Sequence, residues 1–449
     1  MLEAEAEARK VAAVLRKAGY VALFAGGCVR DKLLGAEPQD FDIATDATPG
    51  QIESLFPRTV AVGAQFGVIC VLQNGHEFQV ATFRNDDAYI DGRHPQAVHF
   101  STPEEDALRR DFTINGMFYD PEKEEVIDYV GGQADLKARI LRTVGDPEAR
   151  FREDRLRLLR AVRFATKLNL RIEDATWKAI QQNASTVVSV SAERIREELV
   201  KLFACANRAA GLDLLRDSGL LEAVLPEVAA LQGCEQPPQF HPEGDVYVHT
   251  RIMLDLLPSN VPDTVVWAVL LHDIGKPRTY HVDPEGRIRF NNHDKVGADM
   301  ARALMTRLRF SNHEIDSVCE MVAQHMVFKD VKQMRPARLR RFMSRPTFEE
   351  EMELHRVDCT SSHGMLDNYE FLREKQEEFQ NEPLIPPPLV TGHDLIRIGL
   401  TPGPVFGEIL EAVQTLQLEG ALTDREQALA WVRQNHAPQR TDPGNDPNP

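Results

Sequence analysis

No apolar run in this chain approaches the ~20 residues that a membrane-spanning helix requires; Val265–Leu271 is among the longest. Net positive charge is also missing. Lys and Arg number 52 against 69 Asp and Glu, a formal charge of −17, which argues against a protein that coats nucleic acid by bulk attraction. Local basic patches can still carry RNA affinity, so an RNA enzyme is not excluded. The six cysteines (Cys28, Cys70, Cys205, Cys234, Cys319, Cys359) show no CxxC spacing and are expected to be reduced thiols. There are no internal repeats. Met1–Lys10 alternates Glu, Ala and Arg, whereas a signal peptide starts basic and becomes apolar. These absences predict a cytoplasmic protein with no membrane partner, and they leave oligomeric state open.

At 449 residues, about three domains are expected. Hydrophobic content of 43% and charged content of 27% are those of a globular protein. Ala8, Val11, Val14 and Leu15 predict a helix over 4–18. An apolar strand, Val21–Phe24, then runs into Gly26-Gly27. Val60–Val62, Val68–Leu72, Phe78–Phe83 and Val126–Tyr129 read as further strands, with Asn74-Gly75 as a turn. Together they predict a compact α/β head over 1–145. A helical neck follows over 146–235, with Leu156, Leu159 and Val162 in one apolar block and Ile195, Leu199 and Leu202 in another. Gln236–Pro242 reads as a linker. A second helical region over 245–380 carries most of the histidines. Beyond the Pro383–Pro388 break lies a small helical module, 389–436. The tail, 437–449, is rich in Pro, Asn and Asp, a composition of disorder. The fold class expected is α+β, a small α/β head followed by an extended all-helical body.

Two features of the head carry chemistry. Gly26 and Gly27 stand between a strand and Arg30-Asp31-Lys32-Leu33, where glycines let backbone N–H groups approach a phosphate and Arg30 can join them. A dozen residues on, Asp40-Phe41-Asp42-Ile43 places two carboxylates on one face of a strand and two apolar side chains on the other. Adjacent carboxylates repel unless a cation lies between them, and magnesium prefers such oxygen ligands together with substrate phosphates. Asp40 and Asp42 are therefore the candidate catalytic and Mg2+-binding residues, suited to in-line phosphoryl displacement.

Gly26-Gly27-Cys28-Val29-Arg30-Asp31 through Asp40-Phe41-Asp42-Ile43-Ala44-Thr45 resembles the opening motif of the class II tRNA nucleotidyltransferases and bacterial poly(A) polymerases. The resemblance continues in Arg109-Arg110-Asp111-Phe112-Thr113-Ile114-Asn115, in Phe151-Arg152-Glu153-Asp154-Arg155-Leu156-Arg157 and in Ser191-Ala192-Glu193-Arg194-Ile195. It implies transfer of CMP and AMP from CTP and ATP to the 3′ end of tRNA or another RNA. Three outcomes stay open on these motifs: CCA addition, addition of the terminal A alone, and poly(A) synthesis. In the family, the segment matching Arg110, Asp111 and Asn115 contacts the sugar and phosphates of the nucleotide.

Asp154 and Arg157, three apart, are expected to share a helix face. An aspartate accepts from the exocyclic amine of cytosine or adenine while an arginine donates to the ring nitrogen, a pattern that uracil and guanine mismatch. Such a bidentate contact discriminates by ~1–3 kcal/mol. In the family this motif serves as a protein template; a plain Glu153–Arg157 helical ion pair is the alternative. Arg160 and Arg163 extend the arginine face toward the triphosphate or RNA. Arg84–Pro95, with Tyr89, Asp91, Gly92 and Arg93, resembles the flexible loop the family needs for adding A. The turn Val62–Gly67 looks more like the tRNA enzymes than the poly(A) polymerases. Related heads often carry Glu where this chain has Gln79, and Glu77 on the same strand face is the candidate substitute.

His249, His272-Asp273 and Asp358 reproduce the order His…His-Asp…Asp of the HD phosphohydrolase superfamily, and the resemblance implies a divalent metal held by these four. His293 and His325 fall where relatives with a second metal place further histidines, and Lys276 can steady a phosphate. A phosphohydrolase acting on RNA ends is thus a second reading. Thr391-Gly392-His393-Asp394 and Gly399–Pro404 resemble an RNA-docking tail module of the same enzymes.

Overall fold

The computed structural model describes residues 3–63, 67–86, 98–239 and 241–436. Most of the turn at 62–67, the loop segment 87–97 and the tail 437–449 lie outside the described residues, and with them Tyr89, Asp91, Gly92 and Arg93. The chain divides into two compact units. One is Met1–Gly233 with Leu257–Val266 and Ala303–Ser311; the other is Cys234–Leu256, Trp267–Arg302 and Asn312–Pro449. Among the described residues no helix is long and apolar enough to cross a membrane. All six cysteines are free, five of them buried.

The first unit opens with the helix Glu3–Lys17, whose Ala8, Val11, Ala12 and Leu15 are buried. Up to residue 128 the described residues form the strands β1 (Ala22–Ala25), β2 (Asp42–Thr45), β3 (Thr59–Gly63), β4 (Val68–Gln73), β5 (His76–Thr82), β6 (Arg84–Asp86), β7 (Val98–Phe100), β8 (Met117–Asp120) and β9 (Glu125–Asp128). Seven of them form one mixed sheet in the order β3-β4-β5-β2-β1-β8-β9, while β6 and β7 pair separately. Only β2 and β5 run parallel in the large sheet. Leu23, Ala25, Ala44, Phe83, Ala107 and Phe118 make a core cluster on it.

Register explains why distant motifs meet. Ala25 pairs with Asp42 on one side and with Phe118 on the other, so the glycines after β1, the aspartate that starts β2 and Asn115 just before β8 share one end of the sheet. Gly26 sits at φ +70°, and its N–H donates to the Met117 carbonyl at 3.2 Å. A Cβ there would come within 3.0 Å of Arg110 NH1, so both the turn and the approach of that arginine favour glycine.

The neck is helical with one exception. Arg171–Ile172 pairs in parallel with Ile140–Leu141, a short ladder the helical pattern did not foretell. Leu158, Leu159 and Val162 of the helix Leu156–Leu168 are buried, as are Ile195, Leu199 and Leu202 of the helix Ala192–Phe203.

The second unit is a helical body interrupted by a hairpin, Tyr280–Val282 with Ile288–Phe290, where uninterrupted helix was expected. Gln236–Pro242 is not a bare linker. Gln236 is buried and accepts a hydrogen bond from Lys276 Nζ at 2.6 Å, which ties the segment to the histidine region. Val390, Leu395, Ile409, Val413, Leu422, Ala428 and Val432 form a separate C-terminal core cluster. Thr391 and Asp394 form a capping box on the helix Gly392–Arg397, so this part of the tail motif is spent on helix geometry.

Candidate active site

A cleft of about 530 Å³ in the first unit is lined by Gly26, Gly27, Arg30, Asp42, Arg110, Asp111, Asn115, Asp154, Arg157, Arg160 and Arg163, joined by Arg109, Leu156, Phe164, Lys167 and Arg194. Eight cationic and three acidic side chains line it. In a chain of charge −17 this is a strong local inversion, suited to a polyanionic ligand such as a triphosphate.

Asp42 opens β2 and Asp40 precedes the strand. Both are exposed, whereas Phe41 and Ile43 are buried, so the expected alternation holds past the strand's end. Asp40 is not among the residues lining the cleft. Desolvation raises the Asp42 carboxyl above its ordinary value; Arg110 pulls it down and Asp40 pushes it up. A cation between the two aspartates would relieve that repulsion, so this donor set fits a magnesium ion. Gln79 precedes Val80, the parallel partner of Ile43, which sets Gln79 beside Asp42 on the exposed face with Glu77 two residues further back.

The arginines are held by carboxylates. Asp106, 2% exposed, accepts from Arg109 on Oδ1 (2.6 and 2.9 Å) and from Arg110 on Oδ2 (3.0 and 3.2 Å). Asp111 Oδ2 accepts both Nε and NH2 of Arg160, at 2.8 and 2.6 Å. Its Oδ1 accepts from the Phe112 N–H and from Asn115 Nδ2, and Asn115 Oδ1 accepts from Arg30 NH1 at 2.6 Å. Burial would raise the Asp111 carboxyl, but Arg160 and Asn115 hold it below the ordinary range. Asp111 thus has both oxygens engaged and acts first on its own neighbours. Arg163 donates to Glu198 Oε2 at 2.5 Å, and the guanidinium carbons of Arg30, Arg160 and Arg163 lie 4.1–5.3 Å from the centre of the Phe164 ring. Lys167, exposed at the rim, makes no hydrogen bond or ion pair among the described residues.

Asp154 and Arg157 do line one cleft, but not from one helix as the spacing suggested. The helix Pro147–Glu153 stops at Asp154, whose backbone is extended (φ −144°, ψ 106°), and Leu156–Leu168 is a new helix. Asp154 Oδ1 accepts the Leu156 N–H at 3.0 Å, so the residue that ends one helix also satisfies the first N–H of the next, whose N-cap is Arg155. Its Oδ2 accepts from Arg194 at 2.7 Å. Arg157 donates to Glu153 at 2.6 Å and to the carbonyls of Arg150 and Arg109. The helical ion pair is therefore present as well, and both candidate base-reading groups are clamped in place. Arg194, Arg109, Asp106 and Glu198 were not singled out from the sequence as site residues. The first two stand inside quoted motifs, while the two acids carry no local signal.

In the second unit a cleft of about 380 Å³ is lined by His241, His272, Asp273, Lys276, His293, His325 and Asp358 among others. Among the described residues three groups of potential ligand atoms each lie within 4.8 Å of one another: His241–Glu243–His249, His249–His272–Asp273 and Asp273–His293–His325, the last two sharing Asp273. His249 Nε2 is 3.1 Å from Asp358 Oδ1, and His293 Nε2 is 3.2 Å from His325 Nε2. The Nδ1 atoms of His272, His293 and His325 face the carbonyls of Val269, Phe290 and Val322 at 2.6–2.8 Å, and that of His249 faces Glu243 at 2.7 Å. Such partners take an Nδ1 proton and leave each Nε2 lone pair turned inward, the arrangement metal-binding histidines use. His249 Nε2, His272 Nε2 and both Asp273 oxygens are buried without a well-aligned hydrogen bond; Lys276 Nζ lies 2.6 Å and His272 Nε2 3.0 Å from Asp273 Oδ2, and a cation would find these lone pairs already gathered. Burial opposes a charge on His249, yet Asp358 and Glu243 raise it to about 9; burial pushes His325 down to about 4. Gly275 lets the elements meet, since a Cβ there would lie 2.2 Å from the His293 carbonyl oxygen. Glu243 and His241 were missed from the sequence; the His-x-Glu spacing beside the proline-rich segment was the available signal.

The folds and clefts define a nucleotidyltransferase head with its neck, accompanied by an HD-type helical domain. Family models agree in that order: a poly A polymerase head domain over residues 22–142, a probable RNA and SrmB-binding site of polymerase A over 169–232, and an HD domain over 245–361. The chain belongs to the CCA-adding enzyme family. It is 32% identical over 425 residues to the CCA-adding enzyme of Levilactobacillus brevis, covering 94% of this chain and 96% of that one. It is 45% identical over 217 residues to that of Geobacillus kaustophilus, a match spanning 48% of this chain and 53% of the relative. The crystal structure of the Bacillus stearothermophilus CCA-adding enzyme in complex with CTP superposes with a TM-score of 0.74 at 27% identity, covering 97% of this chain and 98% of that one.

Proposed function

We propose that this protein adds CMP and AMP from CTP and ATP to the 3′ end of tRNA, releasing pyrophosphate. The observation that carries the reading is the single cleft in which Asp42, the Gly26-Gly27 turn, the arginine network and the Asp154–Arg157 pair converge. The glycine turn and the arginines would grip the triphosphate, and their carboxylate anchors keep the donors fixed before substrate arrives. Asp154 and Arg157 would read the Watson–Crick edge of C or A. Asp40 and Asp42 would hold magnesium, which when bound supplies activation of the RNA hydroxyl and charge stabilisation at the leaving pyrophosphate. With tRNA as substrate, the place of action is the cytoplasm. The test is incubation of pure protein, magnesium and all four NTPs with a tRNA lacking CCA, beside an unstructured RNA, with the products sequenced. A stop after C-C-A on tRNA alone supports the reading. Long A tails on both RNAs would make it a poly(A) polymerase, and extension by A alone a terminal-A enzyme.

The buried histidine nitrogens that converge on the Asp273 carboxylate favour a second activity, divalent-metal-dependent hydrolysis of a phosphoester at RNA ends. His249, His272, Asp273 and Asp358 would hold one ion, and His293 and His325 with Asp273 a second. Metal content measured on purified protein, with Asp273→Ala as control, tests it; equal metal in both would refute it.

A further inference from the structure

Residues 328–345 carry seven cations and a single acid, Asp330, inside a chain of charge −17. The structure sorts these cations into two sets. Arg340 lies 3.7 Å from Glu382 and stacks on Phe379, Arg341 donates to Thr415 at 2.9 Å, and Arg345 is bonded to Glu351. These three serve packing. Lys329, Lys332, Arg335 and Arg338 are exposed, and their side chains make no hydrogen bond or ion pair among the described residues.

Their spacing is three residues throughout, and for Lys329 and Lys332 the backbone explains it. His325–Gln333 is a 3₁₀ helix of nine residues, in which side chains at i and i+3 eclipse; runs beyond about 3–4 residues are uncommon. Phe328, Val331 and Ala337 form a buried row with half-buried Met334 between them, and each cation follows one residue later on the outside. A rise of about 2.0 Å per residue puts Lys329 and Lys332 about 6 Å apart along the axis. Arg335 then caps the helix Pro336–Met343, which carries Arg338. The 3₁₀ helix begins at His325 of the histidine cleft, and Lys329 lines that same cleft.

We propose that Lys329, Lys332, Arg335 and Arg338 form a track for the phosphate backbone of a single-stranded RNA, leading its end toward the His–Asp cleft. A small anion needs one or two cations; four at three-residue spacing along adjoining segments, with no carboxylate in ion-pair contact among the described residues, complement a chain whose negative charges repeat. Only the direction of the strand rests on reading the cleft as a hydrolytic metal site.

The test compares full-length wild type with the variant K329Q/K332Q/R335Q/R338Q, whose changes are all at exposed side chains and whose fold is checked by circular dichroism. Binding of a labelled 12-nucleotide single-stranded RNA is followed by anisotropy across a salt series. Each phosphate contact adds about 0.7 to the slope of log K against log salt for single strands, so the slope is expected to flatten by about 3. An unchanged slope overturns the track. Hydrolysis of an RNA bearing a 3′-phosphate and of a 3′-mononucleotide is measured in parallel with K332Q/R335Q/R338Q, which leaves the cleft-lining Lys329 in place. Selective loss of about tenfold or more in kcat/KM on the RNA supports the stated direction, and equal loss on both refutes it. If neither is hydrolysed by wild type, the hydrolytic reading and the direction fall together, while the salt slope still decides the track.

Discussion

Arg194→Ala probes how the cleft would select a base. Asp154 is held on one oxygen by the Leu156 N–H and on the other by Arg194 at 2.7 Å, so losing the guanidinium frees the carboxylate to rotate or take up water. A hydrogen bond between charged groups contributes ~1.5–3 kcal/mol. Asp154 and Arg194 side chains are 20% and 23% exposed, and partial screening argues for the lower end, about 1.5 kcal/mol. If that positioning is spent on base choice, the preference for CTP over UTP falls about tenfold. The assay is single-nucleotide extension of a tRNA lacking CCA, giving kcat/KM for each NTP with wild type, Arg194→Ala, Asp154→Ala and the double variant. The expected signature is a drop for CTP and ATP with little change for UTP and GTP, and no further effect of Arg194→Ala once Asp154 is gone. A common loss for all four NTPs, or effects that add within ~0.5 kcal/mol in the cycle, would refute positioning through Asp154.

Asp42→Ala is expected to abolish nucleotide addition at every magnesium concentration, since the other two carboxylates of the cleft, Asp111 and Asp154, are engaged by Arg160 and Arg194; rescue at high magnesium in the extension assay would contradict this. Glu198→Ala strands the buried Arg163 charge and should cost ~3–5 kcal/mol, read as a lower urea midpoint, whereas Glu198→Leu with Arg163→Met should recover most of it. A cost below ~1 kcal/mol for Glu198→Ala would mean the pair is well solvated. His355 is pushed down to about 4 by burial, against Asp358 and with help from His363, and it stacks on Phe328 at 4.6 Å. The unfolded chain therefore binds a proton between about pH 4 and 6.5 that the fold excludes. This contribution to stability, up to about 3 kcal/mol, is present above pH 6.5 and lost as pH falls toward 4. Urea unfolding from pH 4.5 to 7.5 should show a shallower loss for His355→Phe than for wild type; parallel curves would exclude His355 as the source.

Local pattern carries far in this protein. Alternation in Asp40-Phe41-Asp42-Ile43 gives two exposed carboxylates over two buried side chains even though β2 begins only at Asp42, because a two-residue period survives past the last ladder bond. The apolar rows at Leu159 and Val162, and at Leu199 and Leu202, are buried as their helical spacing requires. The arrangement of His272-Asp273 with His293 and His325 was equally legible, since residue type and order are written in the chain.

What the sequence by itself determined, then, is most of the elements, the family they belong to and the candidate residues for chemistry. Tertiary structure alone decided who holds whom. Arg194 reaches Asp154 across 40 positions, Glu198 reaches Arg163 across 35, and Arg160 reaches Asp111 across 49. No period of 2 or 3.6 residues encodes such pairs, because they depend on how packed elements meet. The helix break at Asp154 was hidden for a related reason: an aspartate inside an otherwise helical stretch can cap or continue, and its bonds to Arg194 and to the Leu156 N–H favour the cap. The unpartnered cations beyond His325 were invisible too, since a run of Lys and Arg does not state which of its members the fold will use.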